Sequence, residues 1–267
     1  MTAVIDGDGI LFACVFGIKL LDENNNPLKE DNKFVYRDKT EEEVYNSLDN
    51  LIHDILRQSD ALDYVFFIKG KNTIKDRKEI NAAYKANRIA DKPMHYDIAK
   101  QYLIDCWNAV EVNDCEVDDA VRITVNKIEN SVIVGVDKDL LNLKNLAYNW
   151  RKKEFVHTTF HNAQYYFWKS MITGDTVDGL SGLKNKGDKF AEKLLVGEGM
   201  LAKSSKHYPA VVLNAYIEHY HCEDLGIQEY YKSYKCLYIL ESKENFVIPE
   251  PIFYKIKEIK EEIIFTF

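Results

Sequence analysis

Glycine, proline and long apolar stretches are scarce in this sequence, and each shortage excludes a class of protein. The chain has 12 Gly and 5 Pro among 267 residues, with 46% apolar and 29% charged residues. That composition excludes collagen-like, low-complexity and disordered proteins. No run of 18 apolar residues is present, and Asp6 and Asp8 interrupt the apolar stretch that a signal peptide would need. We therefore predict a globular, cytoplasmic protein with one large domain or two modest ones.

Cysteine is also sparse, and its distribution excludes two further kinds of site. The five cysteines are an odd number, lie far apart and form no Cys-x-x-Cys pair. Neither a disulfide framework nor a zinc site is therefore indicated. We expect reduced, partly buried thiols at Cys14, Cys106, Cys115, Cys222 and Cys236.

Acidic residues are more numerous than basic ones, but many of them are concentrated in a few places. The net charge of −8 reflects 35 basic and 43 acidic residues. Nine of the acids form four tight groups, and without them 35 bases would face 34 acids. The excess of negative charge is thus consistent with a single acidic site, and nucleic acid stays a candidate partner. The groups are Asp6 with Asp8, Glu116 with Asp118 and Asp119, Asp137 with Asp139, and Asp175 with Asp178.

Short apolar runs alternate with helical patterns in the first 160 residues. Buried strands are predicted at 2–5, 64–68 and 132–136, and helices at 41–58, 97–110 and 118–128. Thr40 and Glu43 have the spacing of a capping box. The alternation predicts an α/β fold with a doubly wound parallel sheet, whose ligand site lies at the carboxyl ends of the strands. Two of the four acidic groups follow directly from predicted strands, since 2–5 runs into Asp6 and 132–136 into Asp137.

The second part of the chain is predicted to be mostly helical. Helical segments are expected at 162–173, 189–195 and 208–221, which suggests a division into residues 1–160 and 161–267. Residues 22–38 are consistent with either a hairpin or an exposed loop.

The acidic groups have the spacing of converging carboxylates. Asp6 and Asp8 alternate at strand period, whereas Glu116 and Asp119 share a helix face. Two such charges about 4 Å apart repel by roughly 4 kcal/mol at an effective dielectric near 20, so a cluster needs a cation. Oxygen ligands without His or Cys favour Mg²⁺ or Mn²⁺, and two such ions support attack of water on a phosphodiester. Each acid taken alone fits a helix cap or turn better than a metal ligand, whereas four such groups at the ends of successive elements favour the metal site.

A basic segment at 69–92 carries eight bases against three acids. It suits contacts to phosphates, and Tyr84 offers a ring on which a base could stack. The alternative is a solvated amphipathic helix. The bases are Lys69, Lys71, Lys75, Arg77, Lys78, Lys85, Arg88 and Lys92.

A glycine-containing segment at 174–195 predicts a helix-hairpin-helix. Gly182, Leu183 and Gly187 would form the hairpin, and its free amides would face a phosphate. Nearby charge would come from Lys184, Lys186 and Lys189. A plain helix-turn-helix without ligand is the alternative, and the Lys-Ser or Lys-Thr ending of a nucleotide-binding P-loop is absent.

Together these motifs resemble the 5′ nuclease superfamily, which includes flap endonucleases, the 5′ nuclease domains of bacterial DNA polymerases and short bacteriophage 5′ to 3′ exonucleases. The resemblance implies a PIN-like nuclease core, a helical arch at about 69–96, and a helix-hairpin-helix that grips DNA, often with K⁺. The matching motifs, in the family's order, are IDGDGILF at 5–12, YKANR at 84–88, EVDDAV at 116–121, GVDKDLL at 135–141 and GDTVDGLSGLKNKGDKFAEKLL at 174–195.

The resemblance also implies roles for individual residues. The first metal would be held by Asp6, Glu116, Asp118 and Asp119, and the second by Asp137, Asp139, Asp175 and Asp178. At the base of the arch, Tyr84 would stack on the terminal base, while Lys85 and Arg88 would steady the scissile phosphate.

One position departs from the family pattern, because the acid expected after the third strand is missing. The stretch reads Phe67-Ile68-Lys69-Gly70-Lys71. Asp8 is a candidate to replace that acid in space. Weak binding of the first metal and partial loss of activity are the other interpretations.

The implied function is divalent-metal-dependent 5′ to 3′ exonuclease or 5′ flap endonuclease activity that leaves 5′-phosphates. DNA with 5′ ends or flaps is the expected substrate, RNA–DNA hybrids are further candidates, and replication proteins are candidate partners. Three alternatives stay open: a haloacid-dehalogenase-like phosphatase with Asp6 as nucleophile and Asp8 as acid, a DNA-binding homologue with impaired catalysis, and a PIN-type ribonuclease.

Overall fold

The computed structural model describes residues 1–88, 92–197 and 205–254. The strands in these ranges are β1 (Thr2–Asp6), β2 (Ile18–Lys19), β3 (Lys29–Glu30), β4 (Lys33–Phe34), β5 (Tyr36–Arg37), β6 (Asp63–Lys69), β7 (Val110–Val112), β8 (Ser131–Gly135), β9 (Leu146–Asn149), β10 (Glu154–His157) and β11 (Ile252–Phe253). The α-helices are α1 (Asp8–Val15), α2 (Glu41–Gln58), α3 (Lys75–Ile80), α4 (Tyr96–Trp107), α5 (Val117–Val125), α6 (Lys138–Leu141), α7 (Phe160–Thr173), α8 (Asp188–Leu195), α9 (Tyr208–Tyr220) and α10 (Glu223–Leu237).

A mostly parallel sheet forms the centre of the molecule. The strand order is β10-β9-β8-β1-β6-β11, and β7 also pairs with β6. Strand β1 runs parallel to both β6 and β8, while β10 and β11 are antiparallel additions at the two ends. The predicted α/β fold class with a parallel sheet is therefore confirmed.

The sheet is buried on both faces, which explains the near-continuous apolar character of its central strands. In β1, Ala3 and Ile5 belong to one core cluster and Val4 to the other. Helices α1, α2 and α4 contribute to the first cluster, and α5 contributes to the second. Since helices cover both faces, a ligand can reach the sheet at the carboxyl ends of its strands.

The local signals in the sequence place most elements to within a few residues. Helix α2 begins at the predicted position, and Thr40 and Glu43 form the reciprocal hydrogen bonds of a capping box. Helix α4 ends earlier than predicted, because Asn108 adopts a left-handed conformation (φ 49°) and Val110 enters β7. Between 22 and 38, the chain forms a hairpin from β3 and β4 beside the pair β2 and β5.

A second core lies among the helices α7, α8, α9 and α10. It is built around Trp168, Met171, Leu195, Val212 and Tyr216. The chain then returns to the central sheet, where β11 pairs with β6. The division at residue 160 stays a prediction, and residues 255–267 of the second range lie outside the described residues. Among the described helices, none combines the length and apolar character needed to cross a membrane.

The predicted arch segment, about 69–96, is partly helical. It contains α3 and a run of turns at 82–87. Residues 89–91 of this segment lie outside the described residues. The arch itself stays a prediction.

Candidate active site

Four carboxylates stand at the carboxyl ends of neighbouring parallel strands and in the turns that follow them. Asp6 is the last residue of β1, and Asp8 is the first of α1. Asp137 caps α6 just after β8, its Oδ1 accepting the Asp139 N–H at 2.8 Å. Asp118 lies in the first turn of α5. Asp118 lies close enough to Asp6 and Asp137 for their charges to raise its pKa, so these side chains share one region.

A glycine makes the tight passage from β1 to α1 feasible. A Cβ atom on Gly7 would lie 2.1 Å from Cε1 of Phe66 and 2.7 Å from the carbonyl oxygen of Phe67. Only glycine allows the backbone to approach β6 this closely. The IDGD sequence is therefore the means by which two carboxylates are placed side by side at the strand end.

Burial and mutual repulsion disfavour the charged forms of these acids. Burial, followed by repulsion from Asp8 and Asp137, raises the pKa of Asp6 to about 8. Burial and the charges of Asp137, Asp6 and Glu116 raise the pKa of Asp118 well above its ordinary value. Burial also raises the pKa of Asp8, and with Asp137 it raises the pKa of Asp139 to about 6. Such a cluster must bind either protons or a cation.

Glu116 lies in the same region but is already surrounded by donors. Its carboxylate accepts hydrogen bonds from Nη1 of Arg77 at 2.5 Å, from the Tyr84 hydroxyl at 2.6 Å and from Nζ of Lys85. Burial raises the pKa of Glu116, but attraction to Arg77 and Lys85 outweighs it and holds the pKa below its usual value. Glu116 is therefore ionised, and the positive charges of Arg77 and Lys85 balance its negative charge.

Asp119 and Arg77 have structural contacts that the sequence did not reveal. Asp119 is 2% exposed, and its oxygens accept from Nη2 of Arg77 at 2.8 Å, from the Leu240 N–H at 2.8 Å and from the Glu116 N–H at 3.1 Å. Arg77 also donates to the carbonyl oxygen of Tyr238 at 2.8 Å. Both oxygens of Asp119 and the guanidinium of Arg77 are thus engaged within the protein, and their predicted roles as a metal ligand and a DNA contact stay predictions.

The predicted second set of acids borders the first. Asp175 caps its own turn through the Val177 N–H at 2.9 Å, and its Oδ2 is 2.7 Å from Nζ of Lys138. The charges of Asp175 and Asp178 both act on Asp139, so this set is continuous with the strand-end cluster. Lys138 is not among the predicted site residues, although its place between Asp137 and Asp139 in the sequence already indicated a cation beside these acids.

Lys85 and Arg88 lie beside the acids as predicted, whereas Tyr84 is oriented differently. Nζ of Lys85 is 3.6 Å from Asp178, and Nη2 of Arg88 is 2.6 Å from the same carboxylate. The ring of Tyr84 is only 2% exposed, since its hydroxyl points inward to Glu116. The predicted stacking of a base on Tyr84 is therefore not available in this conformation.

The missing acid after the third strand has a spatial counterpart. Oδ1 of Asp8 accepts the backbone N–H of Lys69 at 2.9 Å, and Lys69 is the last residue of β6. The carboxylate of Asp8 thus occupies the end of the strand whose own acid is absent.

The fit of a metal to this site depends on which carboxylates are free of protein cations. Within the described ranges, no group of three or more Asp, Glu, His or Cys side chains has the arrangement of a metal site. The reason is physical: Glu116, Asp175 and Asp178 are turned toward Lys and Arg side chains. Asp6 and Asp118 make no ion pair among the described residues, and their oxygens are the kind of donor that a hard divalent cation prefers. These residues and Asp137 supply the donor type that such an ion needs, although their side chains in this structure do not have the arrangement of a metal site.

The segment 174–195 forms a tight turn followed by α8. Gly174 and Gly182 have φ values of +76° and +59°, and a Cβ atom on either would lie 2.3 Å from the backbone of the other strand of the turn. Leu183 is buried in the helical core, and its predicted place in a DNA-contacting hairpin stays a prediction. Gly187 caps α8 beside open space. The three bases predicted to contact DNA, Lys184, Lys186 and Lys189, are exposed or half-exposed.

The remaining predicted DNA contacts lie at the surface beyond β6. Lys69, Lys71 and Lys75 are exposed. Lys75 is 3.9 Å from Glu79 on α3, and the N–H of Lys71 donates to the Asn113 side chain at 2.7 Å. Their ammonium groups are accessible to a phosphate.

Comparisons with known proteins extend these observations. The chain matches no protein-family profile. It is 29% identical over 219 residues to DNA polymerase I of Caldicellulosiruptor bescii, covering 72% of this chain and 24% of the polymerase. It thus spans about a quarter of that relative's length.

Solved bacteriophage T5 structures share the fold. A T5 protein co-crystallised with metal ions matches with a TM-score of 0.54 at 15% identity, covering 88% of this chain and 90% of the other. A variant of the T5 5′-exonuclease matches at 0.52 with 11% identity, covering 89% and 99%. A T5 flap endonuclease in a pseudo-enzyme-product complex with DNA and metal ions matches at 0.50 with 13% identity, covering 88% and 98%. At these identities the likeness concerns the fold, and in its fold the chain resembles the 5′ nuclease superfamily.

Proposed function

We propose that this chain is a divalent-metal-dependent nuclease that hydrolyses DNA at 5′ ends or 5′ flaps and leaves 5′-phosphates. The observation that carries the proposal is the convergence of Asp6, Asp118 and Asp137, which form no ion pair with the described residues, at the carboxyl ends of β1 and β8 and the start of α5. A fold shared with T5 nucleases supports the same conclusion.

Asp6, Asp118 and Asp137 would hold a divalent ion, Mg²⁺ or Mn²⁺, and Asp139 with Asp175 and Asp178 would border a second. When bound, such ions lower the pKa of a coordinated water and neutralise charge on phosphoryl oxygens. The chain's own contribution is to hold the carboxylates close together, so that the repulsion which raises the pKa values of Asp6, Asp118 and Asp139 becomes affinity for cations.

Asp8 would complete the first ion's surroundings. Its carboxylate is fixed at the end of β6 by the Lys69 N–H, where the sequence has no acid of its own. We therefore favour spatial replacement over the interpretations of weak metal binding or lost activity.

Lys85 and Arg88 would stabilise negative charge on the scissile phosphate. Both contact Asp178, so a phosphate entering the site would compete with that carboxylate for two cations. Preorganised cations of this kind act where charge develops in the transition state.

The segment 174–195, with Lys184, Lys186 and Lys189, would bind duplex DNA, with K⁺ as a candidate ligand of its turn.

The direct test is cleavage of 5′-labelled duplex and flap DNA with Mg²⁺ or Mn²⁺, and with EDTA as control. We expect release of short labelled products that carry a 5′-phosphate, and no release in EDTA. Binding without cleavage in either metal would instead favour the impaired DNA-binding homologue. Parallel RNA and RNA–DNA substrates test the ribonuclease alternative, and a small phosphate ester tests the phosphatase.

The Lys85→Ala variant is expected to lower the cleavage rate by roughly 10²- to 10³-fold, because it removes a fixed positive charge beside the scissile phosphate. The dissociation constant for DNA should change little, since Lys85 is 9% exposed and exposed bases supply most contacts. Single-turnover rates and equilibrium binding separate the two effects.

Lys71→Ala is the matched control for Lys85→Ala, because Lys71 is an exposed base of the same segment. This change should weaken binding slightly and leave the single-turnover rate intact. If Lys85→Ala altered only affinity, the proposed role of Lys85 in the chemical step would be wrong.

A further inference from the structure

A cleft with a volume of about 550 Å³ lies beside the carboxylate cluster, and the function proposed above does not use it. It runs between the end of α5 and the loop after α6 on one side, and α7 with the end of α10 on the other. This volume falls within the range of about 300 to 1,000 Å³ that is usual for small-molecule sites.

One wall of the cleft is a rigid group of aromatic rings. Tyr234 stacks on Tyr238 with ring centroids 5.1 Å apart, and Phe167 packs edge-on against both. Phe160 and Tyr166 also line the cleft and are 56% and 39% exposed. Two accessible rings beside a fixed aromatic wall can take up a flat heteroaromatic group by stacking.

The opposite side of the cleft supplies two side-chain amides and an ammonium group. Asn126, Asn142 and Lys144 line the cleft, and none of their side chains forms a hydrogen bond or ion pair with the described residues. Arg122 is paired with Glu241, so Lys144 is the cation on this side without an ion-pair partner among the described residues, and Asp139 places a carboxyl group at the end nearest the carboxylate cluster. Amides that donate and accept suit the edge of a nucleobase, and an ammonium suits a phosphate.

The position of the cleft connects it to the proposed site of cleavage. Asp139, Leu237 and Ile239 line both this cleft and the small pocket that contains Asp118 and Tyr84. A ligand in the cleft would therefore lie one side chain away from the carboxylate cluster.

We propose that the cleft binds a single nucleotide, with its base between the rings of Phe160 and Tyr166 and its phosphate near Lys144. The inference rests on the proposed nuclease function for the source of that nucleotide, which would be the unpaired terminal residue of the strand being cut. This assigns to the cleft the stacking role that the buried ring of Tyr84 cannot perform.

The experiment measures binding without catalysis. The full chain in EDTA is titrated with dAMP and dTMP, and binding is followed by ligand-observed NMR, with ribose 5-phosphate as the probe that lacks a base. We expect both nucleotides to bind and ribose 5-phosphate to bind far more weakly. Tyr166→Ala should weaken nucleotide binding by about 5- to 100-fold, the range for loss of one stacking partner.

Tyr231→Ala is the matched control, because Tyr231 is a 57% exposed tyrosine on α10 that does not line the cleft. Its nucleotide affinity should equal that of the parent protein. Ala163→Trp, which fills the cleft from α7, should abolish binding while the circular dichroism spectrum and melting temperature confirm folding.

Three results would overturn the proposal: no nucleotide binding up to about 10 mM, well beyond the usual range of specific ligands, equal binding of ribose 5-phosphate, or unchanged affinity in Tyr166→Ala. Because the titration contains no divalent metal and no cleavable bond, its failure is distinguishable from failure of the cleavage assay.

Discussion

The Asp118→Asn variant is expected to be more stable than the parent protein in the absence of metal and to lose at least about 10³-fold in cleavage rate. Both effects have one cause. Asp118 makes no ion pair, and burial together with Asp137 and Asp6 raises its pKa. An amide of the same shape removes that repulsion, which we expect to add on the order of 2 kcal/mol to the free energy of unfolding.

The stability gain should depend on pH in a defined direction. A carboxyl whose pKa is raised in the folded state binds more protons there than in the unfolded chain, so the parent protein loses stability as pH rises above the ordinary aspartate pKa near 3.8. The difference between variant and parent should therefore be small near pH 4 and grow toward neutral pH. Urea unfolding in EDTA at several pH values measures it.

Asp119→Asn is the matched control, because Asp119 is the next residue of the same helix and carries the same side chain. It is paired with Arg77 and caps the Glu116 N–H. Its neutralisation should destabilise the protein where that of Asp118 stabilises it. If both variants changed the free energy of unfolding in the same direction, the assignment of Asp118 as the unpaired acid and Asp119 as the structural one would be contradicted.

The Arg77→Met variant is expected to lower the free energy of unfolding by about 3 to 5 kcal/mol, the usual cost of removing one partner from a buried ion pair. Arg77 is the shared donor of Glu116, Asp119 and the Tyr238 carbonyl oxygen. Without it, the buried carboxylate of Asp119 loses its ion pair, and Glu116 keeps Lys85 as its cationic partner among the described residues. Thermal and urea unfolding measure the loss.

Arg57→Met provides the comparison for a surface ion pair. Arg57 contacts Asp54 one turn away on α2, and its side chain is 66% exposed. Its replacement should cost less than about 1 kcal/mol. A loss below 1 kcal/mol in Arg77→Met as well would show that the buried network contributes little to stability.

The central strands and most helices could be predicted because their signals are local. Strand β1 is apolar on both faces because helices cover both sides of the sheet, and α2 carries its own cap. Helix α10 was not predicted. Gly226, Tyr230 and Tyr234 of its inner face have helical spacing, but glycine and tyrosine give only a weak apolar signal in the sequence.

The candidate site was predictable in its residue types but not in its pairings. The spacing of Asp6, Asp118 and Asp137 in the sequence already indicated carboxylates that meet. The partners of Asp119 could not be inferred, since Arg77 lies 42 residues away and Leu240 lies 121 residues away. Pairings across such separations depend on the tertiary fold, which composition and periodicity do not encode.

The link between Arg77 and the segment after α10 has a consequence for biosynthesis. The Tyr238 carbonyl oxygen and the Leu240 N–H complete the contacts of Arg77 and Asp119, yet both are made by the ribosome long after the acids of the sheet. A nascent chain that has emerged only as far as α9 lacks these two backbone groups. The surroundings of Glu116 therefore reach their final arrangement only late in translation, when nearly the whole described chain has left the exit tunnel.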